Sequence, residues 1–326
     1  MIHSHLLLVP LFVLILVGLL GFVGCDWLGL SKPQPPGPTI TGSPGDQKVF
    51  LTWEPYSSSF FHDYKIMRGQ VHGGPYTQIG TAPEGAGTFT DTTAANGTEF
   101  FYVVIQNTND GDSRNSNEVS ATPAPATFRQ RVEKHETVLG TTIQTDPFVD
   151  INAGDLIAVW IWYSDNIINV LSVTDSASNI YQLAVGPTRG AGNLASFQQE
   201  IWFAPNINGG TGVAVTAAFS GASAAEKAIV AHEYAGLAPF SPVDLTSAAV
   251  GASANASSGV VMETASALVF GAAIFSNTGT AGPGFTQRSL LANNVTEDMR
   301  LAAPGPAEAT FTNPPQDWIA QMVVFK

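Results

Sequence analysis

Two stretches of this 326-residue chain, DLIAVWIWYS at 155–164 and ALVFGAAIF at 267–275, are apolar on consecutive positions. A strand sends alternate side chains to opposite faces, so a strand apolar throughout must be covered on both sides. These two therefore read as central strands, with a facing sheet on one side and loops on the other. Around them lie shorter strand-like runs, among them INVLSVTD, FQQEIWFAP, GVAVTAAFS, KAIVAHEY and WIAQMVVFK, separated by Gly, Pro and Asn. Charged residues are only 12% of the chain, against 32 Gly and 21 Pro, which is the composition of short strands and frequent turns. The expectation for residues 126–326 is one large β-sandwich, jelly-roll or lectin-like, with no internal repeat legible. Within it FRQRVEKHE sets Arg129, Arg131, Glu133 and His135 on one face, a strip suited to a solvated edge strand.

Residues 39–122 carry a separate set of strand signals: KVFLTWEP, DYKIMRG, YTQIGTA, TFTDTT, EFFYVVIQN and SNEVSATP. Val49, Leu51 and Trp53 alternate with Phe50, Thr52 and Glu54, so the first three face a core. The combination of LTWEP around Trp53, YKIMRG with Tyr64, GTEFFYVV and the closing SNEVSATP resembles a fibronectin type III domain over its whole length. That resemblance implies a sandwich in which Trp53, Tyr64 and Tyr102 are core. Phe100 stands where the family usually has its corner tyrosine, so the corresponding hydroxyl bond to backbone is expected to be missing. The fold class expected overall is all-β.

The chain has a single cysteine, Cys25, placed directly behind the apolar run Leu6–Val23. No disulfide and no cysteine-based zinc site can form within one chain, so stability must come from core packing. The run and the box Phe22-Val23-Gly24-Cys25 resemble a bacterial lipoprotein signal, which implies cleavage after residue 24 and a lipid on Cys25. The same run is also long enough to stay as a membrane anchor. Both alternatives tether the chain at the cell envelope, facing the periplasm or the exterior, through a stalk at 25–38 that includes SKPQPPGP.

The formal net charge is −13 with no basic cluster, which excludes nucleic acid as a partner on electrostatic grounds. No cofactor is expected. In residues 126–326 only His135 and His232 supply imidazole, and in AHEYAG the neighbours His232 and Glu233 fall on opposite faces of a strand, so they cannot form a dyad. The paired-carboxylate spacing of sandwich glycosidases is not found, nor is a nucleophile elbow or a phosphate loop. A calcium site would draw on VTDSASN, with Asp175, Ser178 and Asn179, and on Asp146, Asp150, Asp155 and Asp165 in nearby turns; the same residues are ordinary turn formers.

Trp160 and Trp162 share one face of their strand about 7 Å apart, a spacing at which two rings can underlie adjacent sugars. Trp202, Tyr163 and Tyr181 are candidates to join them. The same rings can equally fill a core. A run extending from GDLIAVWIWYSDN to HEYAGL also resembles an uncharacterised domain of secreted bacterial proteins, often found beside fibronectin-like modules. That resemblance implies extracellular display and brings no catalytic residues. The function expected is a non-catalytic surface lipoprotein binding a glycan or envelope polymer. The alternatives are a structural or adhesive protein making protein contacts, and an enzyme with an unfamiliar carboxylate site.

Overall fold

The computed structural model describes residues 34–57, 59–109, 111–222 and 225–326. Cys25, the apolar run before it and the first part of the stalk lie outside these residues. The described chain is all-β, as its composition requires.

The first module has strands β1 (Ile40–Gly45), β2 (Lys48–Trp53), β3 (Phe61–Gly69), β4 (Thr77–Pro83), β5 (Thr88–Asp91), β6 (Phe100–Thr108), β7 (Gly111–Asp112) and β8 (Val119–Ala121). They form a sheet β1-β2-β5 packed on a sheet β4-β3-β6, with β7 and β8 both on β6. Val49, Leu51 and Trp53 point inward as their alternation predicts, with Trp53 and Tyr64 ring centroids 5.0 Å apart. Asn117 closes one edge by accepting from the Ile40 amide at 2.7 Å and donating to the Ile40 carbonyl at 2.9 Å. Phe100 has no hydroxyl to offer, but Tyr102, two residues on, donates to the Asp91 carboxylate at 2.9 Å and ties β6 to the end of β5. Burial would raise the Asp91 pKa, yet its bonds from Thr93, Arg68 and Tyr102 outweigh that and hold it below the usual range.

The chain continues through β9 (Thr127–Glu136), β10 (Thr142–Gln144), β11 (Asp150–Ile151), β12 (Leu156–Tyr163), β13 (Val170–Asp175), β14 (Gln182–Arg189), β15 (Gln198–Ala204), β16 (Gly210–Thr211), β17 (Val215–Phe219) and β18 (Lys227–Ala235). Then come β19 (Val243–Gly251), β20 (Val261–Glu263), β21 (Ala267–Phe275), β22 (Thr280–Ala281), β23 (Thr286–Leu291), β24 (Asn294–Leu301), β25 (Gly305–Ala307), β26 (Phe311–Thr312) and β27 (Trp318–Phe325). Two five-stranded sheets result, in the orders β14-β15-β12-β18-β9 and β23-β24-β21-β27-β19. Read in chain order, these are the same topology used twice. A repeat is therefore present in the fold although none is legible in the sequence.

Register aligns the copies residue by residue. Ile161 pairs with Ile229 in the first copy, and Ala273 with Ala320 in the second. On that alignment Leu156, Ala158, Trp160 and Trp162 correspond to Leu268, Phe270, Ala272 and Ile274, and all eight lie in one shared core between the two sheets. The opposite face of β12 packs against the small sheet β10-β17-β13 through Ile157, Val159, Ile161 and Tyr163. The opposite face of β21 is covered by the ribbons β20-β25 and β22-β26, with Phe311 and Ala309 over Val269, Ala273 and Phe275. The two double-sided apolar strands are thus covered by sheet on both sides, not by loops on one. Four β layers replace the single sandwich expected, because each central sheet has its own cap as well as its partner.

The copies meet about an approximate two-fold axis that runs along the strands between β12 and β21. β14 lies over β19 and β27, and β15 over β27. The equivalent contacts on the other flank are made by β9 with β23, where Ser289 donates to Glu133 at 2.6 Å, and by β18 with β24, where His232 meets Thr296 at 2.9 Å and Tyr234 donates to Asp298 at 2.8 Å. Half of the charged strip of β9, Arg131 and Glu133, is used in this seam: Arg131 donates to the Arg288 carbonyl, and Arg288 stacks 4.2 Å over the Phe128 ring. Arg129 and His135 instead pair with Asp155 and Glu226 of the first copy. β9 is an edge strand as expected, but Arg131 and Glu133 of its charged strip clasp the second copy rather than standing free in water.

Candidate functional site

The candidate aromatics occupy three different places. Trp160 and Trp162 do share a face, with ring centroids 6.4 Å apart, but that face is the seam. They are 0% and 1% exposed, so they cannot underlie sugar rings as an open platform. Strand alternation puts both rings on one face, and the second sheet lies on that face. Trp160 donates to Gln199 Oε1 at 2.9 Å, and Gln199 in turn donates to the Ala272 carbonyl across the seam. Tyr163 and Trp202 point the other way and converge on Glu200, donating to its two oxygens at 2.9 and 2.8 Å. Burial pushes the Glu200 carboxyl up despite those two donors. Tyr181 donates to Asp175 at 2.8 Å.

Asp175 is the centre of the suspected calcium loop, and its oxygens are occupied by the turn itself. Oδ1 accepts from the Ala177 and Asn179 amides, both at 3.0 Å, and Oδ2 from the Asn179 side chain and Tyr181. Among the described residues no group of three or more His, Asp or Glu side chains is placed to hold a metal ion. His232 and Glu233 face opposite ways, as strand alternation predicts: His232 into the seam, where burial lowers its pKa to about 3, and Glu233 to the Asn152 amide at 2.7 Å.

One cleft and one recess mark the two ends of the seam. At the end where β12 and β21 begin, the first module is fastened to the second copy. Asp46, in the β1–β2 turn, accepts from Arg300 Nε and Nη2 at 2.8 and 2.9 Å and from Asn96 at 2.8 Å. Ser266, just before β21, donates to the Asp46 carbonyl, and the Ala124 amide to that of Gly45. Beside this joint is a cleft of about 540 Å³ lined by Pro44, Pro125 and the Arg129–Asp155 pair. Burial raises the Asp155 carboxyl to about 6, with Arg129 opposing the shift.

At the other end, where β12 and β21 finish, a recess of about 240 Å³ opens on the axis itself. Both copies build it with equivalent parts. The ends of the central strands supply Trp162 and Ile274, and the following turn of the second copy adds Asn277. The hairpin between β14 and β15 supplies Asn193 and Phe197, while the hairpin between β23 and β24 supplies Asn293. The first hairpin is long and its tip rests on Asp317, which accepts from the Asn193 amide at 2.6 Å. Gly192 has φ 58, a left-handed backbone that favours glycine, and a Cβ there would come within 2.5 Å of that carboxylate and push it off the Asn193 amide. The second hairpin is a tight turn with Ala292 at φ 52 and Asn293 at φ 64, a left-handed pair that leaves the Asn293 amide at the rim. Glu226, the equivalent of Asp317, completes the wall and bonds His135 at 3.1 Å; the His135 ring lies 5.5 Å from that of Trp162.

Of the sequence candidates only Trp162 reaches the recess. Asn193, Asn277 and Asn293 were missed because each sits in an ordinary turn, and only the two-fold arrangement of the copies gathers them.

No family model matches this chain, and no curated protein does. Solved structures similar to it are fibronectin type III-like. They include a Fn3-like protein from Clostridium thermocellum, at 30% identity over 28% of this chain and 96% of that one with a TM-score of 0.25. The twitchin kinase region of C. elegans is 17% identical over 30% of this chain and 18% of that one, with a TM-score of 0.25. The FN1–FN3 domains of chicken CNTN1 are 15% identical over 57% of this chain and 63% of that one, with a TM-score of 0.29.

Proposed function

We propose that this protein is a non-catalytic recognition component of the cell envelope, tethered through Cys25, with the first module as a spacer and the duplicated sandwich binding a glycan or envelope polymer. The observation that carries this reading is the polarity of the molecule. The N-terminal side enters through the first module, which is joined to the duplicated part at the start of β12 and β21 by the two-bond Asp46–Arg300 pair. The recess lies at the opposite end of the same strands, across an eight-residue strand or about 23 Å further on at the usual rise. A tethered chain built this way presents its recess outward. The glycan reading therefore rests on the recess and no longer on a Trp160–Trp162 platform.

A protein-binding role is the second reading, favoured by one patch. Ile180 and Phe240, 76% and 54% exposed, flank a groove whose other walls include Asn179, Asn206 and Asn208. Exposed apolar side chains grouped in this way mark protein contacts.

Full-length chain in detergent, incubated with insoluble envelope polysaccharide and separately with immobilised surface proteins, tests the two together. Retention on polysaccharide supports the first reading and retention on protein alone supports the second. Retention on neither, or turnover of the polysaccharide, overturns the proposal.

A further inference from the structure

We propose that the recess on the pseudo-two-fold axis binds a single neutral sugar ring, free or as the end of a polysaccharide; this deepens the recognition reading above and rests on it. Its volume, about 240 Å³, is below the roughly 300–1,000 Å³ of clefts that take drug-sized ligands, so it holds one ring-sized unit and not an extended chain. Its polar groups are the second ground. Asn193, Asn277 and Asn293 are exposed amides around one small opening. An amide side chain offers both donors and an acceptor, which is the pattern that adjacent sugar hydroxyls, themselves donors and acceptors, can satisfy together. No lysine or arginine lines the recess, and its one carboxylate, Glu226, already bonds His135. With a chain charge of −13, an anionic ligand is repelled and a neutral one is not.

The apolar wall is the third ground. Phe197 is half-buried at the mouth, its ring 6.1 Å from that of Trp162 behind it. Aromatic side chains and polar amides lining one recess suit a ring with one C–H face and a hydroxyl rim.

The divergence between the copies is the fourth. Glu226 and Asp317 are equivalent, yet Asp317 is used to anchor the long hairpin while Glu226 is left on the recess wall. Ala292 adopts a left-handed backbone, disfavoured for a non-glycine residue, and it does so in the turn that carries Asn293 to the rim.

The test uses the full-length chain in detergent and saturation-transfer NMR with glucose, galactose, mannose and N-acetylglucosamine, each free and as a disaccharide. The comparison variant is Asn277→Ala with Asn293→Gly, chosen because glycine keeps the left-handed turn; Glu226→Gln is the second variant, and near-UV circular dichroism confirms the fold of each. The expected result is transfer to at least one neutral sugar, with affinity reduced about tenfold or more in the double variant. Binding of free sugar alone assigns a soluble ligand, and binding of the disaccharide as well assigns a polymer end; either supports the site. No transfer to any sugar overturns it, as does transfer unchanged in both variants. If the wild type and both variants are retained equally on polysaccharide, the recess assignment falls while the recognition reading stands.

Discussion

The two copies of the duplicated part keep the same strand order and the same division of faces, and they differ most along the axis that relates them. At its middle Trp160 in the first copy corresponds to Ala272 in the second. At its outer end the hairpin spanning residues 190–197 corresponds to a two-residue turn at Ala292 and Asn293. At the seam large again corresponds to small, Phe270 to Ala158, whereas on the outer faces, each under its own cap, Tyr163 corresponds to Phe275 and Ile161 to Ala273. A two-fold seam forces any one substitution to be accommodated by its equivalent in the other copy, because both lie at the same place. The lesson is that such a scaffold holds its volume constant at the seam while letting identity diverge, and the divergence has concentrated where the recess opens.

The largest expected effect comes from attacking that volume. Trp160→Ala should cost about 3–5 kcal/mol, read as a fall in the urea midpoint, since the ring is fully buried and the sheets around it are themselves covered. Ala272→Trp alone should also destabilise by overpacking, by about 1–3 kcal/mol. Combining the two should recover part of both losses, a coupling of about 1–3 kcal/mol. Strict additivity of the two losses would show that the positions do not share one packing volume, and the equivalence of the copies at the axis would be broken.

How much of this was readable beforehand follows from the same pair. The double-sided apolar character of β12 and β21 stated that each needed two covers, and it is there in both structure and sequence. The longer cap strands β13 and β17 read as strands in INVLSVTD and GVAVTAAFS, but nothing in their pattern says which sheet they cover. The rest of the caps is short: β10 is Thr142–Gln144 and β25 is Gly305–Ala307. Runs of three residues carry no usable period. The duplication was hidden for another reason: topology conserves the face pattern and the pairing register, and neither demands that Trp160 resemble Ala272. The site fared similarly. Trp162 announces itself as a large aromatic, whereas Asn193, Asn277 and Asn293 are turn residues spread over a hundred positions, brought to one rim only by the seam.

The second difference between the copies is that only the later one carries the first module. Arg300 reaches Asp46 from the end of β24, whereas β15 ends at Ala204 and is followed by Pro205, with no side chain to offer. Arg300→Met should loosen the joint at a cost of about 1–2 kcal/mol, below the value for a fully buried pair because a third of the Arg300 side chain stays in water. Calorimetry should then resolve unfolding of the first module from that of the rest. A single unchanged transition would mean that the joint is held by the apolar and backbone contacts instead, and that the copies do not differ in this respect.

The smallest effect sets the two buried carboxyls of the copies against each other, Glu200 on β15 and Glu297 on β24. Both are pushed up by burial, Glu297 to about 8. Glu200 holds two donors, Tyr163 and Trp202, whereas Glu297 accepts from the Gly282 amide at 2.9 Å through Oε2 while Oε1 is buried without a partner. An acid whose folded pKa lies above its unfolded value binds its proton more tightly when folded, so the folded state loses stability as pH rises from about 4.5 through about 8. Glu297→Gln is neutral at every pH and removes that loss. The variant should match the wild type near pH 4 and exceed it at pH 9, with about 2–4 °C of Tm for each kcal/mol recovered. Glu200→Gln should lose about 1 kcal/mol near pH 4, because an amide NH₂ cannot accept from the second of the two donors, and should regain part of that as pH rises, since the Glu200 carboxyl is raised too. At low pH the same substitution on the same strand thus costs stability in one copy and not in the other, decided by whether the surrounding core supplies donors. Two losses of equal size would show that the copies treat their buried acid alike.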